Sequence, residues 1–158
     1  MLKTNLDAGP PWTDILNMFK TMIPTLIVLA GIGQFLLSVA SLAIPRVLHW
    51  RQELTAVSPL TRSLFWTYAA YTLGIHVCFA AISILVPHEL ARGDVLATAI
   101  TGFIALYWGA RLVLQFTWYD RTVVSERILF RVAEIGLVAL FAALTLIYGA
   151  AALRNLWQ

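Results

Sequence analysis

Apolar residues in this chain neither alternate nor keep to one amphipathic stripe; they gather in four long runs separated by short polar segments. The runs cover Thr21 to Pro45, Ser63 to Pro87, Val95 to Phe116 and Val132 to Ala152. Each holds about 20 residues, which at about 1.5 Å per residue crosses a hydrocarbon layer of about 30 Å. The pattern predicts four membrane-spanning helices, over residues 21–45, 63–87, 95–116 and 132–152.

Ahead of the first run, Trp12, Ile15, Leu16 and Phe19 recur at helical spacing, with Thr13, Asp14, Asn17 and Lys20 opposite. This is the pattern of an amphipathic helix lying in the membrane interface over residues 11–20 and turning into the first span near Pro24. The alternative is simply a longer first helix. The connection RVLHWRQELTAVSPLTR has room for one short surface helix, and Ser58 followed by Pro59 marks a helix start. HELARGD reads as a tight hairpin with Asp94 capping the third helix, and Ser125 with Glu126 marks the start of the fourth. The expected fold class is all-α: a polytopic membrane protein, one domain over residues 1–158, folded as an antiparallel four-transmembrane-helix bundle with a short N-terminal interfacial amphipathic helix.

Composition agrees. Of 158 residues, 60% are hydrophobic and only 12% charged, about half the charge of an ordinary soluble domain. A soluble enzyme, a disordered chain and a nucleic-acid-binding domain are thereby excluded. The net charge of +3 comes from basic residues confined to short segments between the runs, so it bears on membrane orientation. An even number of crossings puts both termini and HELARGD on one side, with Lys3, Lys20, Arg92 and Arg154. Arg46, Arg51, Arg62, Arg121, Arg127 and Arg131 fall on the other, with Arg111 near that end of its helix. The positive-inside rule then predicts termini outside and arginine-rich connections in the cytoplasm of a bacterial inner (plasma) membrane. Trp12 and Trp157 at one interface, and Trp50, Trp66 and Trp118 at the other, fit aromatic belts. The single cysteine, Cys78, rules out a disulfide framework and a CxxC pair. The polar start MLKTNLDAGPPW does not read as a signal peptide, so insertion is expected to use the first span.

In lipid, helices associate through small residues and inter-helix hydrogen bonds. Each span carries a stripe of that kind: Gly31, Gln34, Ser38 and Ser41; Ala70, Gly74, Cys78 and Ala81; Thr98, Gly102, Ala105 and Gly109; Gly136, Ala139 and Ala143. The stripes serve the bundle itself or a partner chain.

An ionisable residue inside a membrane is costly and by default a functional candidate. His76, Arg111 and Glu134 qualify. His76 falls at the depth of Gln34, close enough for a hydrogen bond, and Tyr68, Thr72 and His76 form a polar stripe at four-residue spacing. Antiparallel packing of the last two spans predicts Arg111 and Glu134 at one depth, as an ion pair near Gln115, Tyr68 and Tyr71. The competing readings are an Arg111 that snorkels to the interface and a Glu134 that pairs with Arg131 on its own helix. The blocks FWTYAAY and YWGARLVLQFTWYDR add Tyr107 and Trp108 to a polar-aromatic patch. Such a patch suits a lipid headgroup, a quinone ring or a partner helix, or consists of belt anchors. The candidate cluster is thus Gln34, Tyr68, Tyr71, His76, Tyr107, Trp108, Arg111, Gln115 and Glu134.

Catalytic and metal residues are not assignable. His49, His76 and His88 are too dispersed for a zinc or di-iron site or for intramolecular bis-histidine haem ligation. The Arg-x-x-His-Trp string from Arg46 to Trp50 resembles a segment of b561-type cytochromes, but the remaining histidines do not follow that pattern. No cofactor is predicted, with haem b or quinone as the remaining alternatives. The leading expectation is a non-catalytic membrane protein, an accessory or scaffold subunit or a lipid-binding bundle, leaning away from an enzyme. Its partners would be the lipid bilayer and a second copy or another membrane subunit, with no nucleic acid. A small oligomeric transporter or channel with a polar path through Gln34, Tyr68, His76, Arg111 and Glu134 is the alternative, and a quinone- or haem-associated redox subunit the third.

Overall fold

In the computed structural model, four helical stretches are long and apolar enough to cross a membrane: Thr21–Val47, Pro59–Leu85, Val95–Thr117 and Arg131–Leu156. The structure describes residues 11–117 and 128–158, with side chains over 21–117 and 131–158. The described residues are helical with short connections, an all-α multi-pass membrane protein.

Helix α1 runs without interruption over Pro11–Ser41, with Pro24 inside it. The expected interfacial helix is therefore the first part of the same element, and the chain does not break at the proline. Pro24 removes one intrahelical hydrogen bond, a loss that spanning helices tolerate where neighbouring side chains or local helix adjustment re-satisfy the freed carbonyl. The side chains on residues 11–20 that carry the amphipathic pattern lie outside the described residues.

The connection after α1 folds into two single turns, α2 (Ile44–Val47) and α3 (Trp50–Glu53), followed by a 3-10 turn at Leu54–Ala56. Helix α4 spans Pro59–Leu85 and starts as the sequence predicts: the Ser58 hydroxyl accepts from the Thr61 N–H at 3.2 Å, with Pro59 in the first turn. A further turn, α5 (Pro87–Leu90), leads to Gly93, whose φ of +84° needs a residue without Cβ. The Asp94 carboxylate then accepts from the Ala97 N–H at 2.7 Å and caps α6, Val95–Thr117. Helix α7 covers Ile128–Leu156. Ser125, Glu126, Trp118, Arg121 and Arg127 lie outside the described residues.

Helix α1 packs on α4 and on α7, and α6 packs on α7. Helices α4 and α6 meet through ring contacts, Phe79 with Phe103 at 5.9 Å and with Tyr107 at 5.3 Å. The α1–α4 approach is close at Gly31, where an added Cβ would lie 2.8 Å from Ser83 Cβ and 3.2 Å from the Ala80 carbonyl oxygen. Along α6 and α7, Gly102 faces Ala152 and Gly109 faces Thr145, which fixes an antiparallel register. Asn155 Nδ2 donates to the Leu90 carbonyl at 2.9 Å and Gln158 sits against Gly93. The C-terminus and the 86–94 connection thus share one end of the bundle, as an even number of crossings requires. The α2–α3 connection lies at the other, called here the arginine end.

Among the described residues, burial differs sharply between the two ends. In α4 the buried residues are Phe79, Ala80 and Ser83, all in its last seven positions. Among the described side chains of α7, residues 131–156, the buried ones are Phe141, Leu144, Tyr148, Ala151 and Asn155. In α1 it stops at Ser38, and in α6 only Gln115 is buried beyond Trp108. The core is therefore concentrated in the half nearer the C-terminus, and the first four turns of α4 are almost unpacked.

The small-residue stripes divide accordingly. Gly31, Gln34 and Ser38 of α1 face the core. Ala70, Gly74 and Cys78 of α4 and Gly136, Ala139 and Ala143 of α7 are exposed, and a Cβ at Gly74 or Gly136 would meet nothing within 4 Å.

Candidate functional site: an intramembrane polar knot

Gln34 lies in α1 among Ile23, Ile27 and Ala30, on the face that the 3.6-residue period turns inward. Its amide is wholly buried and its groups have partners. Nε2 donates to the Tyr148 hydroxyl at 2.6 Å and, more weakly, to the Ala30 carbonyl at 3.4 Å. Oε1 accepts from the Trp108 indole N–H at 3.3 Å. The Tyr148 hydroxyl also contacts the Ser83 hydroxyl at 2.5 Å, and Ser83 Oγ lies 2.7 Å from the Phe79 carbonyl. The proton assignment follows. Ser83 donates to the carbonyl, Tyr148 donates to Ser83, and Gln34 donates to Tyr148. One glutamine, one tyrosine, one serine and one tryptophan tie α1, α7, α4 and α6 together in a single neutral network.

A stack of rings extends this knot. Trp108 lies between His76, at 4.9 Å and 27°, and Phe141, at 5.3 Å and 25°. His76 Nε2 and the Tyr107 hydroxyl are 2.9 Å apart. The Arg111 guanidinium sits 5.8 Å from the Phe141 ring centre, in cation–π range.

Of the nine candidate residues, the structure thus brings together Gln34, His76, Tyr107, Trp108 and Arg111. Gln115 is buried one turn beyond Arg111. Tyr68 and Tyr71 are each 68% exposed and turn away from the knot. The expected bond between Gln34 and His76 is not made, because Trp108 stands between them, donating to one and stacking on the other.

Arg111 and Glu134 do not form the expected ion pair, nor do Arg131 and Glu134; the ion pair within 4 Å among the described residues joins the exposed Arg92 and Glu89. The α6–α7 register supplies the reason. The facing pairs Gly102–Ala152 and Gly109–Thr145 put Arg111 level with residue 143, nine positions from Glu134, or about 13 Å along the helix. Half-buried Glu134 consequently sits nearer the arginine end than Arg111. Matching the ends of the two apolar runs, residues 116 and 132, sets the pair at nearly one depth, whereas the observed register puts residue 116 level with 138.

Tyr148 and Ser83 are the two members of the knot that the sequence reading passed over. Their signal was weak: one hydroxyl each inside an apolar run, at a position shared with many span-end residues. What marks them is spacing, since Tyr148 follows Phe141 and Leu144 on one face of α7.

Chemically, the knot has hydrogen-bonding groups that satisfy one another and no carboxylate among them. Among the described residues no group of three His, Cys, Asp or Glu side chains is placed to hold a metal ion. Fold and site together define a four-span all-helical membrane protein held by a neutral inter-helix network. Compared with known protein families, curated proteins and solved structures, the chain matches none.

Proposed function

We propose that the protein is a non-catalytic accessory or scaffold subunit of the membrane, whose outer α4 and α7 faces receive the helices of a partner subunit or a second copy. The observation that carries this reading is the outward placement of small and hydroxyl-bearing residues at membrane depth. Gly74 and Gly136 have open space where a Cβ would be, and Tyr71 and Thr72 of α4 are exposed. Small residues permit close helix approach, and hydroxyls in hydrocarbon gain from a partner across the helix interface. The internal knot supports the same reading, because its groups are occupied with one another. The orientation we propose has the termini outside and the arginine end in the cytoplasm, following the charge bias.

Photo-crosslinking in native membranes tests this. A benzoyl-phenylalanine replacing Tyr71 is expected to capture a second membrane polypeptide, while one replacing the lipid-facing Phe103 captures none. A protein that is monomeric in mild detergent and yields no crosslink from position 71 would refute the reading. A small transporter is the second reading, favoured by the half-buried His76–Tyr107 pair in the ring stack; liposome flux abolished in His76→Ala with the fold intact would select it.

A further inference from the structure

We propose that the α2–α3 connection is a pre-folded platform that binds the anionic headgroups of the membrane leaflet at the arginine end. The two connections described differ in what holds them. The 86–94 connection is built into the protein: Leu90 and Ala91 are buried, and Asn155 ties the Leu90 carbonyl to α7. The α2–α3 connection is equally ordered, yet α2, α3 and the following 3-10 turn contain no buried residue.

Its order comes from its own backbone and from one arginine. Hydrogen bonds run from Leu42 N–H through Glu53 N–H with carbonyl acceptors three or four residues back. His49 turns the chain in the left-handed region at φ 49°. Arg62 of α4 donates through Nε to the Leu54 carbonyl at 3.0 Å and through Nη2 to the Thr55 carbonyl at 3.4 Å. Trp50 wedges against Phe65 at 4.8 Å and Trp66 at 5.9 Å. Ordering a segment costs conformational entropy, and here little burial within the chain offsets it. Leu42, Ile44, Val47 and Leu48 are all 40% exposed or more.

Leu42, Ile44 and Val47 close the first spanning stretch and Leu48 follows it directly, which sets them where the acyl chains give way to the headgroup region. Inserting them into that boundary supplies the missing apolar burial. The charges decide what kind of surface is met. Arg46 and Arg51 are exposed within the same short segment and Glu53 is its single carboxylate, so the platform is complementary to anionic lipid. Ordering before binding means that little further entropy is lost on contact.

The full chain, reconstituted in nanodiscs of phosphatidylcholine with and without phosphatidylglycerol, provides the test. A spin label at Leu48→Cys in a Cys78→Ser background is expected to relax faster with oxygen than with a water-soluble nickel chelate, placing it at the acyl boundary. Native mass spectrometry is expected to show phosphatidylglycerol retained over phosphatidylcholine. The preference should fall about 25-fold in Arg46→Gln/Arg51→Gln, about five-fold per arginine. A label freely reached by the nickel chelate in both lipid compositions overturns the proposal. So does an unchanged lipid preference in the double variant, or a label shielded by a co-purifying protein. Because the wild-type label depth and lipid preference are read first, the result stands even if the double variant folds poorly.

Discussion

Replacing Tyr148 by phenylalanine keeps the ring and removes one oxygen from the centre of the network. Two hydrogen bonds disappear, from Gln34 Nε2 at 2.6 Å and to Ser83 Oγ at 2.5 Å. The stranded groups differ in what remains to them. Ser83 keeps its bond to the Phe79 carbonyl at 2.7 Å, whereas Gln34 Nε2 keeps only the long contact to the Ala30 carbonyl at 3.4 Å. Inter-helix hydrogen bonds within membranes average about 0.6 kcal/mol, up to about 1.7. Two of them, with one donor left poorly satisfied, give an expected loss of about 1–2 kcal/mol. Gln34→Leu strands the buried Trp108 N–H as well and should cost about 2–3 kcal/mol. Reversible unfolding by denaturing detergent, followed by circular dichroism, measures both. The double variant supplies the decisive number. Since one bond is common to both substitutions, Gln34→Leu/Tyr148→Phe should cost less than the sum of the singles by about 0.6 kcal/mol or more. Additivity within about 0.3 kcal/mol, or a Tyr148→Phe protein as stable as the wild type, would refute the idea that this network fastens the helices.

Other expected outcomes follow from the same geometry. Gly31→Leu should destabilise by about 1–3 kcal/mol, because its side chain meets Ser83 and the Ala80 backbone. Gly74→Leu should leave the isolated protein's unfolding midpoint unchanged while reducing the yield of the crosslink from position 71. Asp94→Ala should cost about 1 kcal/mol in the same assay by uncapping α6, and Gly93→Val about 1–2 kcal/mol from its left-handed backbone alone. Glu89→Gln should produce no measurable shift, since its ion pair with Arg92 is solvent-exposed.

The spans and the caps at Ser58 and Asp94 were legible because each depends on local sequence: a long apolar run, or a side-chain acceptor three residues ahead of an N–H. Gln34 was legible because a strong polar group in an apolar run demands a partner. Which partner it takes was not, since that depends on the rotation of α7 and α6 about their axes. The same rotation hid Tyr148 and Ser83 and turned Tyr68 and Tyr71 outward. The Arg111–Glu134 pairing failed for a different reason. Depth along a helix was counted from the ends of the apolar runs, residues 116 and 132, but the register sets residue 116 level with 138, which is six residues of offset; the unequal depths of Arg111 and Glu134 within their own runs add three more.

The uneven burial along the bundle has a consequence for the surrounding bilayer. Where the core is tight, lipids meet the four helices as one cylinder and touch only its outer wall. Toward the arginine end the described residues bury little against one another, so acyl chains of that leaflet contact a larger share of the exposed helix faces. The two leaflets are therefore unequal solvents for this protein. A change in acyl length or saturation confined to the leaflet at the arginine end should alter helix separation there, with the polar knot acting as the fixed fulcrum. The same change in the opposite leaflet meets a surface that is already closed.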